Sequence, residues 1–552
     1  MAFTLIIKHT WQVLLSFFSN IKYLKMKRII ITTAIVLITA GILSSCNKLK
    51  EEPLGNLTPA SFYKTQADAV AAVTAVYSSL STDVNNDFPI YGRNLNLLVD
   101  NASDNQVYSP SNTNPDVRAL GTATYVSTND RVHKLYAQLY WGINKANIAI
   151  DKILQIPAAQ FVDPSHTALN LIREARFIRA LHYFNLVRLF GDVPVVLHDL
   201  SSLDLTALKV DRKPKDSVYY QIIADLDSAA LLPNTYSGIN VGRATSGAAH
   251  ALLAKVYVTR QNWASAKTEL EKVITAGTGF SNATGNYGYD LFIKFSDAFQ
   301  PATKNGKEHI FSAQFNGTAG GFVSTQTLSS FTWTTSAYTA DIPADASIIE
   351  NLFDVTDQRR STTFYDSLFN QSTLKLVKWP FYNFLKFVDQ SGGITANLSS
   401  QGANSKMNFP VIRYADILLL YAEALNEING TPTTDALRAI NIVRGRAYGS
   451  YTGNGNYSKD IGDLPSGLSQ TDFRDIIFLE RRREFIQESQ RWFDLVRRTD
   501  KGPGQYYLTA VQSMLGNPKA AAALKDTLFP IPQTEIDLYA GSNPNFKQNP
   551  GW

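Results

Sequence analysis

The sequence predicts a mainly α chain built from stacked helix pairs, and three observations carry the prediction. From Leu171 to Phe190, the residues Leu171, Ala175, Phe177, Ile178, Leu181, Phe184, Val187 and Phe190 surround most of a helical wheel. That pattern suits a helix enclosed by neighbours rather than one lying on a surface. Second, Ala254, Tyr257, Ala266, Leu270 and Val273 form the small, aromatic, small, large, small ladder of a tetratricopeptide-like helix pair, and Ala422, Leu425, Ala436, Ile440 and Val443 form a similar one with a longer turn. Such pairs cannot bury their faces alone and must stack, so the expected scaffold is a right-handed superhelix. Third, between Thr278 and Asn408 the periodicity dissolves into Gly, Ser, Thr and Asn punctuated by Phe331, Trp333, Tyr338, Trp379, Phe381 and Tyr382. An insertion of that length is improbable in a compact domain unless it is functional. We read it as a loop-rich, partly β subdomain carrying a ligand face.

Taken in order, the chain opens with a basic Met26-Lys27-Arg28, an apolar run from Ile29 to Leu43, and Ser44-Ser45-Cys46. The apolar run is shorter than the roughly 20 residues of a membrane-spanning helix and has the layout of an export signal. Leu43 to Cys46 resembles a bacterial lipobox, which makes the single cysteine, Cys46, the expected site of lipidation. Residues 1–45 are therefore expected to be a signal with translation starting at Met26, and residues 46–57 a lipidated tether. Thr65 and Asp68 open the first helix as a capping box. Residues 81–121 are rich in Asn, Asp, Ser and Pro and read as irregular surface structure around a short apolar run at Leu95 to Val99. Helical pattern runs from Arg131 to Leu154, Leu171 to Phe190 and Ser217 to Leu231. Gly191 and Pro194 stop the second of these, since Gly accepts a left-handed cap and Pro cannot continue a helix. These elements form an N-terminal helical scaffold over residues 58–277. The insertion occupies 278–408, with strand-like pieces at His309 to Phe315 and Leu374 to Trp379. A C-terminal helical-repeat block fills 409–552, with one charged helix expected from Thr471 to Arg498 and an extended, Pro-punctuated tail from Leu528.

Composition narrows the function. Net charge is +5 with charged residues at 18%, interspersed in sign, which gives no phosphate-tracking face and excludes nucleic acid as an expected partner. One cysteine permits neither an intrachain disulfide nor a Cys-based metal site, and the seven His have no metal-ligand spacing. No catalytic residues, metal or cofactor are expected. Asp416, Glu423 and Glu484 could be imagined as glycosidase carboxylates, but neighbouring Arg413, Arg481 and Arg483 favour ion pairing. Glu480, Glu484 and Glu488 share one helical face, with Arg481, Arg483 and Arg491 at spacings that permit pairs. Arg176, Arg179 and Arg188 in the apolar helix need acidic or carbonyl partners, and His182 there reads as a hydrogen-bonded core residue. Aromatics reach 11%, with 26 Tyr. A sugar offers a flat C–H face rimmed by hydroxyls, so a glycan site needs an aromatic plane beside hydrogen-bonding groups. Tyr91, Arg93 and Asn94 in the first loop, with Trp333 and Tyr338 in the insertion, supply that combination if the two loops converge.

The run from Glu174 to Pro194 resembles the signature of the SusD/RagB family of Bacteroidetes nutrient-binding lipoproteins. So do Asn408 to Glu427, with Arg413, Tyr414, Asp416, Tyr421 and Glu423; Ile440 to Arg446; Glu480 to Glu484 with Arg491 to Arg497; and Phe529 to Pro532 with Glu535 and Gln548 to Gly551. The resemblance implies a surface-exposed, lipid-anchored outer-membrane protein. It would capture an oligosaccharide or polysaccharide and deliver it to a SusC-type TonB-dependent transporter. Peptide capture, as on the RagB side of the family, is the first alternative. A surface hydrolase would need a convergent acid pair or nucleophile in the cleft, and a plain helical-repeat scaffold would lack an exposed aromatic plane.

Overall fold

The computed structural model describes residues 22–33, 62–82, 88–109, 112–163, 166–199, 209–274, 280, 286–316, 341–343, 346–370, 374–389, 405–459, 462–540, 543 and 546–552. Two units result, Met1–Phe62 and Tyr63–Trp552. The described part of the first is a helix over 22–33 with exposed side chains. No described helix is long and apolar enough to cross a membrane. Cys46 lies outside the described residues.

In the second unit, local chemistry specifies where helices begin. Thr65 and Asp68 close the expected capping box on α1 (Gln66–Ser78). A π-helical turn, Ile90–Asn94, leads into α2 (Leu95–Val99), followed by strand β1 (Gln106–Tyr108) and α3 (Pro115–Thr122). The segment expected to be irregular surface is thus largely ordered and interior. Next come α4 (Asp130–Ile153), capped by Asn129, and α5 (Ala168–Phe190), capped by Thr167 and ended by Gly191 at φ 71°. Strands β2 (Val193–Pro194) and β3 (Arg212–Lys213) pair beyond it, and α6 (Lys215–Ala229), α7 (Ser246–Thr259) and α8 (Trp263–Val273) complete the first half.

The excursion that follows carries β4 (His309–Ala313), β5 (Asp341–Pro343), α9 (Ala346–Leu352), α10 (Gln358–Thr363) and the hairpin β6 (Phe364–Asn370) to β7 (Lys375–Phe384). The chain returns through β8 (Phe409–Arg413) to α11 (Tyr414–Asn429) and α12 (Thr434–Ala447). Antiparallel pairing of β4 with β8, His309 opposite Arg413 and Ala313 opposite Phe409, closes the base of the excursion. Helix α8 packs on α11 across that gap, so the two ladder pairs are neighbours in space although the insertion separates them in sequence. The ladder positions Ala254, Ala266, Leu270, Val273, Ala422, Ala436, Ile440 and Val443 are buried.

A small hairpin, β9 (Tyr451–Gly453) to β10 (Asn456–Tyr457), precedes α13 (Gln470–Glu484), α14 (Arg491–Arg497) and α15 (Gln505–Gln512). The single charged helix expected from Thr471 to Arg498 is broken between α13 and α14. There the Glu484 carbonyl accepts from Lys386 Nζ at 3.1 Å and Arg413 Nη2 at 3.2 Å, while Gln487 and Ser489 take positive φ of 67° and 55°. Buried cations have claimed a helix-terminal carbonyl, and the chain turns. The tail is extended through Phe529 to Pro532 but then forms α16 (Gln533–Tyr539), which the Pro-rich pattern concealed. It latches onto α5: Phe529 N–H donates to Leu189 O at 2.8 Å, and Asn549 Nδ2 donates to Phe190 O at 3.0 Å and Phe529 O at 2.8 Å.

Around α5 the enclosing neighbours are α1, α4 and α6. Arg179 donates twice to Asp225 at 2.8 Å, Arg176 donates to Ser228 at 2.9 Å, and Arg188 lies between the rings of Phe184 and Phe493 at 3.8 and 3.7 Å. His182, fully buried, meets Ser79 Oγ at 2.8 Å. Gly142 on α4 makes room for it, since a Cβ there would stand 2.2 Å from His182 Nε2.

Candidate functional site

The second half of the insertion is fastened to the scaffold by buried charge. Asp357 caps α10, accepting from Arg359 N–H at 3.0 Å, and the same carboxylate binds the Arg359 guanidinium at 2.9 and 2.7 Å. Arg359 reaches onward to Glu480 at 2.7 Å and Glu484 at 3.2 Å on α13. Glu484 also binds Arg413 at 2.9 Å and Arg446, which with Arg413 holds Glu308 at 2.6 Å each. Lys386 and Arg413 share Glu488. Burial alone would raise the Glu484 carboxyl, but Arg446, Arg413, Arg359 and Lys386 overcome it and hold it well below the usual carboxylate range. Burial lowers Lys386 to about 8 despite Glu488. The glutamates expected to pair along their own helix therefore pair mainly with arginines from other segments; among the described pairs, Arg483 with Glu480 at 3.4 Å is the local one. Asp416 and Glu423 are likewise occupied, by Arg481 at 2.6 Å and Lys255, and by Arg497 at 2.6 and 2.8 Å.

On that footing sits a cleft. Phe364 opposite Phe384 begins the β6–β7 ladder, and Tyr365 pairs with Asn383. The next paired positions are Ser367 and Lys378, so one residue lies between them on β6 and four on β7. Pro380 falls in this bulge, where its missing N–H cannot serve the ladder. The bulge opens a cavity of about 550 Å³ between the hairpin and α10, within the range of ligand sites. Phe364, Tyr365 and Tyr382 form its aromatic wall, and Gln358, Arg360, Ser361 and Asp366 add hydrogen-bonding groups. Tyr382 rests half-buried on an apolar cluster of Ile349, Leu352, Phe353, Phe364, Phe384 and Ile486, which fixes the ring while leaving part of it open.

The residues singled out in the first loop stand elsewhere. Tyr91, Arg93 and Asn94 are 4%, 1% and 0% exposed. Asn185 donates to Tyr91 Oη at 2.9 Å, the Tyr91 ring packs 5.5 Å from Phe409, and burial pushes the phenol up to about 12. Asn94 spends its amide on Phe88 O and Gln138 at 2.8 and 2.9 Å. Their expected role as an exposed stacking and hydrogen-bonding cluster is corrected: the helical turn after Pro89 directs them inward against α4, α5 and β8. Trp333 and Tyr338 lie outside the described residues. Strand β5, which follows them in sequence, pairs with β1, Tyr108 opposite Asp341 and Gln106 opposite Pro343. Sequence reasoning missed Gln358, Arg360, Ser361 and Asp366; the Asp357 cap before a short polar helix was the available signal.

A model of the SusD family matches residues 357–552, and one described as starch-binding associating with outer membrane matches residues 56–258. SusD-like protein P2 of Formosa agariphila is 30% identical over 555 residues, spanning 96% of this chain and all of the relative. The chain belongs to the SusD family. A SusD homolog from Bacteroides thetaiotaomicron superposes with a TM-score of 0.75 at 25% identity, covering 90% of this chain and 99% of its own. A laminarin binding SusD-like protein gives 0.70 at 24% identity, with 89% of this chain and all of its own covered, a likeness of fold. The two SusD-family matches flank residues 259–356, which contain the start of the insertion. Among the described residues no group of His, Cys, Asp and Glu could hold a metal ion.

Proposed function

We propose that this SusD-family chain is a non-enzymatic, surface-exposed lipoprotein, anchored through Cys46, that captures an oligosaccharide and delivers it to a SusC-type TonB-dependent transporter. The observation that carries the reading is the cleft between α10 and the hairpin: a fixed, half-open tyrosine beside neutral and charged hydrogen-bonding groups, in a family whose relatives include a laminarin binder. The carboxylates nearest to a hydrolase reading, Asp416, Glu423 and Glu484, are each held by arginine inside the scaffold. Trp333 and Tyr338 are proposed to extend the ligand face, since the β1–β5 pairing anchors the end of their loop.

Calorimetric titration against a panel of soluble polysaccharides and peptides, with products monitored, tests this. A glycan should bind without turnover. Tyr382→Ala should weaken it about 5-fold to 150-fold, the range for loss of one stacking ring, and Arg360→Ala should weaken it with the melting temperature unchanged. Binding of peptides alone, or a glycan affinity indifferent to both substitutions, would refute the assignment.

A further inference from the structure

Four helices begin or end at one tip of the stack, and the connections there are uncharged. Helix α4 runs antiparallel to α5, since Arg179 Nη1 donates to Asn147 Oδ1 at 2.8 Å and Gly142 faces His182. Helix α6 is antiparallel to α5 as well, because Arg176 meets Ser228 and Arg179 meets Asp225. The residues that follow α4 and α6 therefore come level with the start of α5. Gln66, the first residue of α1, joins them: its Oε1 accepts from the Val162 and Asp163 N–H groups at 2.8 and 3.2 Å. The turn Gly238–Asn240 is tied to the same level from both sides, through Tyr236 and Arg243, which reach Glu174 at 3.4 and 2.9 Å.

The two connections at this tip, residues 153–162 and 228–242, contain no Asp, Glu, Lys or Arg, although such residues make up 18% of the chain. They also hold large aliphatic side chains out of the protein. Leu154 and Val162 on the first, Leu169 at the start of α5, and Leu231 and Ile239 on the second are 61% to 100% exposed. Around them stand Lys64, Lys152 and Arg173, none with a carboxylate at ion-pair distance among the described residues; Arg173 donates to Asn170 at 3.0 Å instead. Protruding aliphatic groups rimmed by unpaired cations match a lipid surface, where acyl chains lie beneath a layer of phosphate. The chain's own layout favours lipid over a protein partner. From Cys46 to Tyr63 the sequence can span at most about 60 Å even when fully extended, and Tyr63 stands just ahead of Gln66 at this same tip. A lipid on Cys46 thus confines the tip to the neighbourhood of the bilayer, at an effective concentration that lets even a weak contact form.

We propose that this tip is a lipid-docking surface, which seats Leu154, Val162, Leu169, Leu231 and Ile239 among acyl chains and sets Lys64, Lys152 and Arg173 against headgroup phosphates. The contact would fix how the anchored scaffold stands on the membrane. It rests on the anchoring through Cys46 proposed above, so the test replaces that anchor and lets the two readings fail separately.

The mature chain, residues 46–552 with Cys46→Ser and an N-terminal hexahistidine tag, is held on vesicles of phosphatidylethanolamine and phosphatidylglycerol that contain a nickel-chelating lipid. An environment-sensitive dye on Val162→Cys should be quenched by lipids brominated in their acyl chains, whereas the same dye on Leu515→Cys, an exposed position in the C-terminal block, should not. Without the tag, Leu154→Ser combined with Val162→Ser should weaken binding to these vesicles about 10-fold or more, with the melting temperature unchanged because both side chains are exposed. Quenching absent at Val162→Cys, or equal at the two positions, would overturn the proposal, as would vesicle binding indifferent to the double substitution. Shielding of the Val162→Cys dye by a protein partner but not by vesicles would also overturn it and assign the tip to protein docking. Because the tag stands in for the acyl chain, an unacylated Cys46 in cells would refute the anchor without altering these readings.

Discussion

Around α5, Phe177, Ile178, Leu181 and Phe184 are buried, and polar groups enter as small clusters such as Arg179 with Asp225 and Asn147. Around α13, equally buried positions belong to Glu480 and Glu484, joined through Arg359, Arg413 and Arg446 to Asp357, Glu308 and Glu488, and to Arg481, which pairs with Asp416 and Asp494. Both regions are helices packed on helices, yet their cohesion differs in kind. Dispersion and burial are nearly additive over atoms, so an apolar interior loses a side chain locally. A buried ionic network has no such tolerance, because each charge is stable only while its opposite stays in place. The ionic region is also the one that fastens the insertion to the scaffold.

The difference should emerge first in substitution. Arg413→Ala takes one cationic partner from each of Glu308, Glu484 and Glu488, and should cost about 5 kcal/mol, the upper end for breaking a buried pair, or prevent folding; urea unfolding measures it. Phe184→Ala leaves a cavity and removes the ring under Arg188, for about 3 to 4 kcal/mol by the same measurement. Equal costs for both would erase the distinction. Next is acid. Burial lowers His182 from 6.5 to about 3, so the folded state binds fewer protons than the unfolded chain between those values. Its contribution is complete above pH 6.5 and is lost as pH falls towards 3, about 2 kcal/mol of it by pH 5. The depressed carboxylates, Glu484, Asp416 and Glu308 among them, contribute fully above the ordinary range near 4 and are lost only below it. Melting temperature against pH should therefore fall in two stages, and His182→Gln should shrink the upper one, to which buried His309 also contributes, and leave the lower one. The smallest effect concerns the fit beneath that histidine: Gly142→Ala should cost about 1 to 3 kcal/mol by overpacking, and combined with His182→Ala it should cost less than the sum.

How far these regions could be read from sequence follows the same divide. Apolar periodicity located α5 and both ladder pairs to within a few residues, because burial imposes the period directly. Tyr91, Arg93 and Asn94 misled, because interior polar residues that satisfy one another have the composition of a surface loop. Glu480, Glu484 and Glu488 revealed their spacing but not their partners, since Arg359, Arg413 and Arg446 arrive from elsewhere in the chain. The cleft was half legible: Tyr382 announced itself as a loop aromatic, whereas Arg360 and Asp366 gain meaning only from the bulge that opens beside them.

The latch on α5 has a consequence for the order of events in folding. The carbonyls of Leu189 and Phe190 find their partners in Phe529 and Asn549, the latter 359 positions downstream. Contacts this distant are made late, since the intervening chain must first surrender its freedom. For a chain made N-terminus first, this enclosed helix therefore stays unsealed until residues near 549 have emerged. Delayed closure of this kind makes the tail the element whose arrival commits the molecule to its folded state.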